Sequence, residues 1–241
     1  MNALPAGIAF ASTEWSVILE AKQNSADGRA ALERLCRAYW LPVYGYLRRR
    51  GHAPADAEDL TQGFFAQLLE SDFLERPDPA KGRFRGYLVG ALRHYLSGHF
   101  ERATAKKRGG GTNAVPWDSL DAEREFVAVD QPQADPSEVF ERSWAYTLLA
   151  RALSRLGEEQ ASAGRQRQFE VLKGFLSTTP TRGDYDRAAA QLDTTRTNVA
   201  VWVHRLNQRY AELVKLEVAA TVRDPAEVKE EMQHLLRALR G

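Results

Sequence analysis

Residues 29–51 read "RAALERLCRAYWLPVYGYLRRRG". Leu32, Leu35, Cys36, Tyr39, Trp40, Val43, Tyr44 and Leu47 recur at spacings of three and four, the period that lines up one face of an α-helix and never one face of a strand. Pro42 lies inside the stripe and is expected to kink the helix, because its ring removes a backbone donor. Gly51 offers a stop, since it can take the left-handed conformation that closes a helix.

The same period extends outward. In "DAEDLTQGFFAQLLE", residues 56–70, Leu60, Phe64, Phe65, Leu68 and Leu69 share a face, and three acids gather in the first turn, where the helix dipole favours negative charge. "ERPDPAKGRF" is expected to be a loop, and a third helix follows through Leu88, Leu92, Tyr95, Leu96 and Phe100. The glycines at 109–111 and the acidic, proline-containing stretch to Asp135 read as a flexible linker. "DPSE" at 135–138 and "DPAE" at 224–227 each place a capping Asp before Pro and three residues before Glu, a start signal for two further helices. The fold is therefore expected to be all-α. It is divided into a domain over 13–108, a linker over 109–135, a second domain over 136–218 and a C-terminal helical extension over 219–241.

Composition narrows the function classes. The 241 residues contain one cysteine, so no disulfide framework and no cluster of thiolates can be built within the chain. No apolar run approaches the roughly 20 residues needed to span a bilayer, and no basic leader precedes an apolar segment. A soluble, cytoplasmic protein without membrane contact is expected. A net charge of +1 conceals segregation. Between Lys81 and Arg108 eight cations meet one acid, whereas between Thr112 and Arg142 eight acids meet two cations. No phosphate-cradling loop is present, and His94 and His99, five residues apart, diverge by about 140° around a helix. No catalytic residue, metal site or cofactor is expected, and the chain is not read as an enzyme.

Two stretches suit nucleic acid. In "YDRAAAQLDTTRTNVAVWVHRLNQRY", residues 185–210, Ala188, Ala189 and Leu192 face Val199, Trp202, Val203 and Leu206 across a tight turn, the pattern of a helix-turn-helix. Asp193 stands where glycine is more usual, and Thr194 or Thr195 can cap the second helix. Arg196, Thr197 and Asn198 would then start the base-reading helix, followed by Val201, His204 and Arg205, with Arg209 free to reach phosphates. In "GRFRGYLVGALRHYLSGHFERATAKKRGGG", residues 82–111, cations alternate with rings. Phosphate neutralisation and stacking on a surface ring together favour unpaired bases. Phe84 and Tyr87, flanked by Arg83 and Arg85, are the rings best placed for this, because Tyr95 and Phe100 fall on the apolar stripe.

The order of these parts resembles the extracytoplasmic-function (ECF) sigma factors, the two-domain members of the sigma-70 family of bacterial RNA polymerase, most specifically in "AEDLTQGFF" and "GRFRGYL". The resemblance implies that the first domain is region 2-like and the second region 4-like. Asp56, Glu58, Asp59 and Gln62 would bind the clamp helices of the polymerase β′ subunit, with the β subunit as a further contact. Lys81, Arg83, Phe84, Arg85 and Tyr87 would capture and separate the strands of the minus-10 element, helped by Arg102, Lys106, Lys107 and Arg108. Thr195, Arg196, Thr197, Asn198, Val201, His204, Arg205 and Arg209 would read the minus-35 element. Thr61, beside the acids, could accept a phosphate from a kinase and add charge to the polymerase-binding surface. An anti-sigma protein is a further possible partner. Two readings compete with this one: a helix-turn-helix regulator that acts without polymerase, and a helical adaptor that binds proteins only.

Overall fold

The computed structural model describes residues 26–70, 83–105, 119–130, 133–178, 180–222 and 224–240. Among them are nine α-helices and no strand. They are α1 (Ala26–Arg49), α2 (Pro54–Glu70), α3 (Phe84–Ala105), α4 (Ser119–Val129), α5 (Pro136–Ser162), α6 (Gln166–Leu172), α7 (Arg182–Gln191), α8 (Arg196–Thr221) and α9 (Val228–Arg240). The described residues divide into two compact units, one of those up to 147 together with those from 219 onward, the other of those within 148–218.

In the first unit α1 supplies the centre. Its stripe from Tyr39 through Leu47 is buried, and the helix runs unbroken through Pro42 from Ala26 to Arg49. Gly51 closes it with φ of 90°, while the His52 N–H donates to the Leu47 carbonyl. Trp40 stacks on Phe65 of α2 at 6.0 Å between centroids, and Phe64 meets Tyr95 of α3 edge-on at 5.7 Å. α5 approaches α1 closely at Gly45, where an added methyl group would lie 3.0 Å from Ser143 Oγ. The Asp135 cap is made as the sequence suggests. Its carboxylate accepts from the Ser137 and Glu138 N–H groups, and Glu138 accepts from the Asp135 N–H.

The expected linker is corrected in part. Residues 119–129 form α4, which buries Ala122, Phe126 and Val129 at spacings of four and three. Arg48 of α1 donates from Nε and Nη2 to the two oxygens of Glu123 at 2.9 and 2.8 Å, and the Tyr44 hydroxyl donates to the same carboxylate at 2.5 Å. The Arg48 bonds hold the Glu123 carboxyl below its ordinary range; burial first, then Glu123, drives the Tyr44 phenol far above its own. An acidic composition hid an amphipathic helix: Glu125 is exposed, whereas Glu123 faces α1 and is neutralised there by Arg48. The expected domain limits shift as well. Residues 136–147 and 219–240 pack with the first unit, through Phe140, Trp144, Val228 and Leu235.

The second unit contains the two helices of the expected hairpin. Thr181 starts α7 by donating its N–H and hydroxyl to Asp184 at 2.8 and 2.7 Å. α7 then ends in a left-handed turn. Asp193 has φ of 50°, and the Thr194 N–H reaches back to the Ala189 carbonyl at 3.0 Å. Thr195 caps α8 by accepting from the Asn198 N–H at 3.2 Å. Ala188 and Ala189 of α7, Val199, Val203 and Leu206 of α8, and Phe169 of α6 are buried. The unusual Asp at the glycine position is thus tolerated, because short polar side chains enter the left-handed region more readily than others. In urea denaturation, Asp193→Gly is expected to leave stability unchanged or slightly raised. Asp193→Val is expected to lower it by about 1–2 kcal/mol.

Candidate polymerase and nucleic-acid interfaces

The acidic turn of α2 is available for contact. Asp56 and Asp59 are exposed, and Glu58 and Gln62 are half-buried and joined by a 3.4 Å hydrogen bond. Ala57, Leu60, Phe64 and Leu68 take the opposite side of the helix into the core. Thr61 belongs to that inner side: it is fully buried and its hydroxyl donates to the Ala57 carbonyl at 2.7 Å. The expectation that Thr61 is a phosphate acceptor is corrected, because a kinase cannot reach a hydroxyl enclosed by the core.

α3 begins at the residues expected to meet unpaired DNA. Phe84 is 1% exposed and packs edge-on against Tyr39 at 5.4 Å, so its expected role as a base-stacking ring is corrected. It is the first member of a stripe that continues through Leu88, Leu92 and Leu96, one helical turn apart. Tyr87 is half-buried, its ring 6.2 Å from that of Phe84. Lys81, Lys106, Lys107 and Arg108 lie outside the described residues, as does the side chain of Arg102 on α3.

Arg83 and Arg85 are occupied by the C-terminal helix. Arg85 is 4% exposed and directs both terminal nitrogens to the carboxylate of Glu231, which is itself fully buried. Its Nε lies 2.8 Å from Glu141 of α5, and its guanidinium sits 4.3 Å over the Trp144 ring. Arg83 reaches Glu231 at 2.9 Å through Nε and the exposed Glu230 at 2.8 Å through Nη2. Burial pulls the Arg85 guanidinium below its ordinary range and Glu141 opposes the shift. The placement of Arg85 on an accessible surface is therefore corrected in this conformation: a charge removed from water needs a partner of opposite sign, and α9 supplies it.

α9 is anchored by further contacts within the same unit. Val228 and Leu235 are buried, each worth roughly 1.5–3 kcal/mol of transfer free energy. His234 lies 2.8 Å from Glu141, and Arg142 donates to the carbonyls of Ala238 and Val129 at 3.3 and 3.2 Å, joining the ends of α9 and α4. The Asp224 cap expected before this helix is made, with its carboxylate accepting from the Ala226 N–H at 2.8 Å. Sequence reasoning missed Glu230, Glu231, His234, Glu141 and Trp144 as neighbours of the basic segment. A signal existed: Glu231 interrupts the apolar stripe of Val228 and Leu235, and an acid on a buried face calls for a buried cation.

In the second unit the start of α8 is open. Thr195, Arg196, Thr197, Asn198, Val201, His204 and Arg205 are all exposed, and the Asn198 amide donates to Thr194 Oγ1 at 3.0 Å. Arg209 is a correction: Nε and Nη2 both bind Glu159 at 2.8 Å, and Nη1 binds Glu212 at 2.7 Å. The guanidinium is committed to holding α5 against α8 and is not free for a phosphate.

Burial makes unequal demands on the two acids of α9. Glu231→Ala is expected to destabilise the first unit by about 3–5 kcal/mol in chemical denaturation, because it leaves buried Arg85 short of a counter-charge. Glu230→Ala is expected to cost less than about 1 kcal/mol, as for an exposed pair. His234 responds to pH. Burial lowers its pKa from 6.5, Glu141 raises it, and Arg85 and Arg83 lower it again, with a net fall. The folded state therefore binds fewer protons than the unfolded chain, and its stability is complete above pH 6.5 and declines as pH falls through the folded value. His234→Gln is expected to flatten the unfolding midpoint measured between about pH 7 and 5.5.

Among the described residues no helix is long and apolar enough to cross a membrane. The family model for sigma-70 region 2 matches residues 35–105, which span most of α1, all of α2 and α3. No curated protein and no solved structure matches the chain. A region 2 domain carries the polymerase-binding and promoter-melting work of a sigma factor, and residues 35–105 of this chain are similar to that domain of the sigma-70 family.

Proposed function

We propose that this protein is an ECF-type alternative sigma factor whose second unit acts as region 4. The observation that carries the reading is the combination of a region 2 match at residues 35–105 with a helix-turn-helix whose second helix opens on exposed Arg196, Thr197 and Asn198. Asp56, Glu58, Asp59 and Gln62 meet the β′ clamp helices, with the β subunit as the second polymerase contact. Arg83, Arg85 and Tyr87, with Lys81, Arg102 and the cations at 106–108, engage the minus-10 element. Thr195, Arg196, Thr197, Asn198, Val201, His204 and Arg205 read the minus-35 element in the major groove, where each well-made bidentate base contact contributes about 1–3 kcal/mol. The work takes place in the cytoplasm, where polymerase and promoter DNA are found. A regulator acting without polymerase would leave the region 2 match and the exposed acids of α2 without a role.

Run-off transcription with core polymerase over fragmented genomic DNA tests this directly. Transcripts that require the protein are expected. Asp56→Ala combined with Asp59→Ala is expected to reduce retention of the protein on core polymerase by about tenfold or more, as for loss of charged contacts at an interface. Arg196→Ala is expected to weaken promoter selection while leaving retention intact. The proposal fails if no fragment yields a dependent transcript, or if the double variant remains bound as well as the parent.

A further inference from the structure

The most unusual feature of the first unit is that its strand-opening arginines already hold anions. Glu231 meets Arg83 at 2.9 Å and is chelated by Arg85, and Glu230 meets Arg83 at 2.8 Å. A phosphodiester offers the same chemistry as a carboxylate: negatively charged oxygens that accept from a guanidinium fork. We propose that α9 is an intramolecular plug which competes with single-stranded DNA for Arg83 and Arg85, so that the helix must leave before those residues can bind a strand. The inference rests on the sigma-factor reading above.

Three observations support the competition. The two ligands cannot be held together, because Arg85 is 4% exposed under the helix, with Glu231, Glu141 and Trp144 around its guanidinium. The plug is matched to the site in sign, since two acids of one helix turn meet two cations of another. Its hold on the unit is also divided. Glu230 is 68% exposed and so contributes a solvent-screened contact, whereas Glu231 and Leu235 are buried. Phe84 is also held from α1, through its edge-on contact with Tyr39, which does not involve α9. The basic segment therefore exists in two states, covered and open. DNA shifts the balance only by the difference in its affinity for them.

Full-length Glu231→Gln and Leu235→Ala release the helix by different means, one by charge and one by apolar contact. Their binding to a fluorescein-labelled, random-sequence single-stranded 20-mer is measured by anisotropy, and exchange at 228–240 reports whether the helix has left. Affinity is expected to rise about tenfold in both, within the range of ordinary intramolecular coupling. The gain should vanish when Arg83→Ala and Arg85→Ala are added, and Lys229→Ala on the exposed side should bind as the parent does. Released variants that bind no better, or that bind better without needing the arginines, would overturn the plug. So would unchanged exchange in both variants, since Glu231 and Leu235 would then not be what holds the helix. Run-off transcription on the same proteins separates the two claims. Dependent transcripts without any gain in single-strand binding reject the plug alone, and the absence of transcripts from every variant rejects the sigma-factor reading.

Discussion

A guanidinium buried to 4% exposure must be neutralised where it stands, and Arg85 imposes that constraint on everything around it. The carboxylate of Glu231 answers it from a helix 146 positions away in sequence, while Glu141 and the face of Trp144 close the remaining sides. Because Glu231 is fully buried in turn, removing either charge leaves the other buried with one counter-charge in place of two, Glu141 for Arg85 and Arg83 for Glu231. The register of α9 follows. With Glu231 fixed against Arg85, Leu235 falls into the core one turn later, His234 reaches Glu141, and the Ala238 carbonyl meets Arg142.

That constraint joins stability to function. In the proposed mechanism Arg83 and Arg85 hold a DNA strand, yet the folded protein satisfies them with its own acids. A site built from strong cations has to manage them when its ligand is absent, and two acids of an internal helix do so at the cost of competing with the ligand later. The second unit handles its cations differently. Arg209 is committed to Glu159 and Glu212, and the exposed residues at the start of α8 are left open. The two proposed DNA contacts thus differ in readiness, the helix-turn-helix being accessible and the basic start of α3 covered.

Much of this could be read from local sequence, and what could not has a physical reason. The stripe in α1, the stop at Gly51 and both Asp-Pro caps are encoded within a few residues of one another, and the folded chain uses them. Asp193 takes the left-handed turn that its place between two alanine- and valine-faced helices implied. α4 was obscured because eight acids between 112 and 142 suggested solvation, although Ala122, Phe126 and Val129 carry the helical period. Phe84 and Thr61 were misplaced by reading residue type before helix phase; counting back from Leu88 and forward from Ala57 puts both inside. The pairing of Glu231 with Arg85 has no local trace beyond an acid on an apolar stripe, since partners so distant in the chain are brought together only by the packing of the whole unit.

Hydrogen–deuterium exchange over residues 228–240 separates these two states most directly, measured in the free protein and again with core polymerase on promoter DNA taken from the run-off assay. If α9 covers Arg83 and Arg85 until a strand displaces it, its amides are protected in the free protein and lose that protection in the promoter complex. Amides that stay equally protected when the promoter is open would contradict a helix that has to leave.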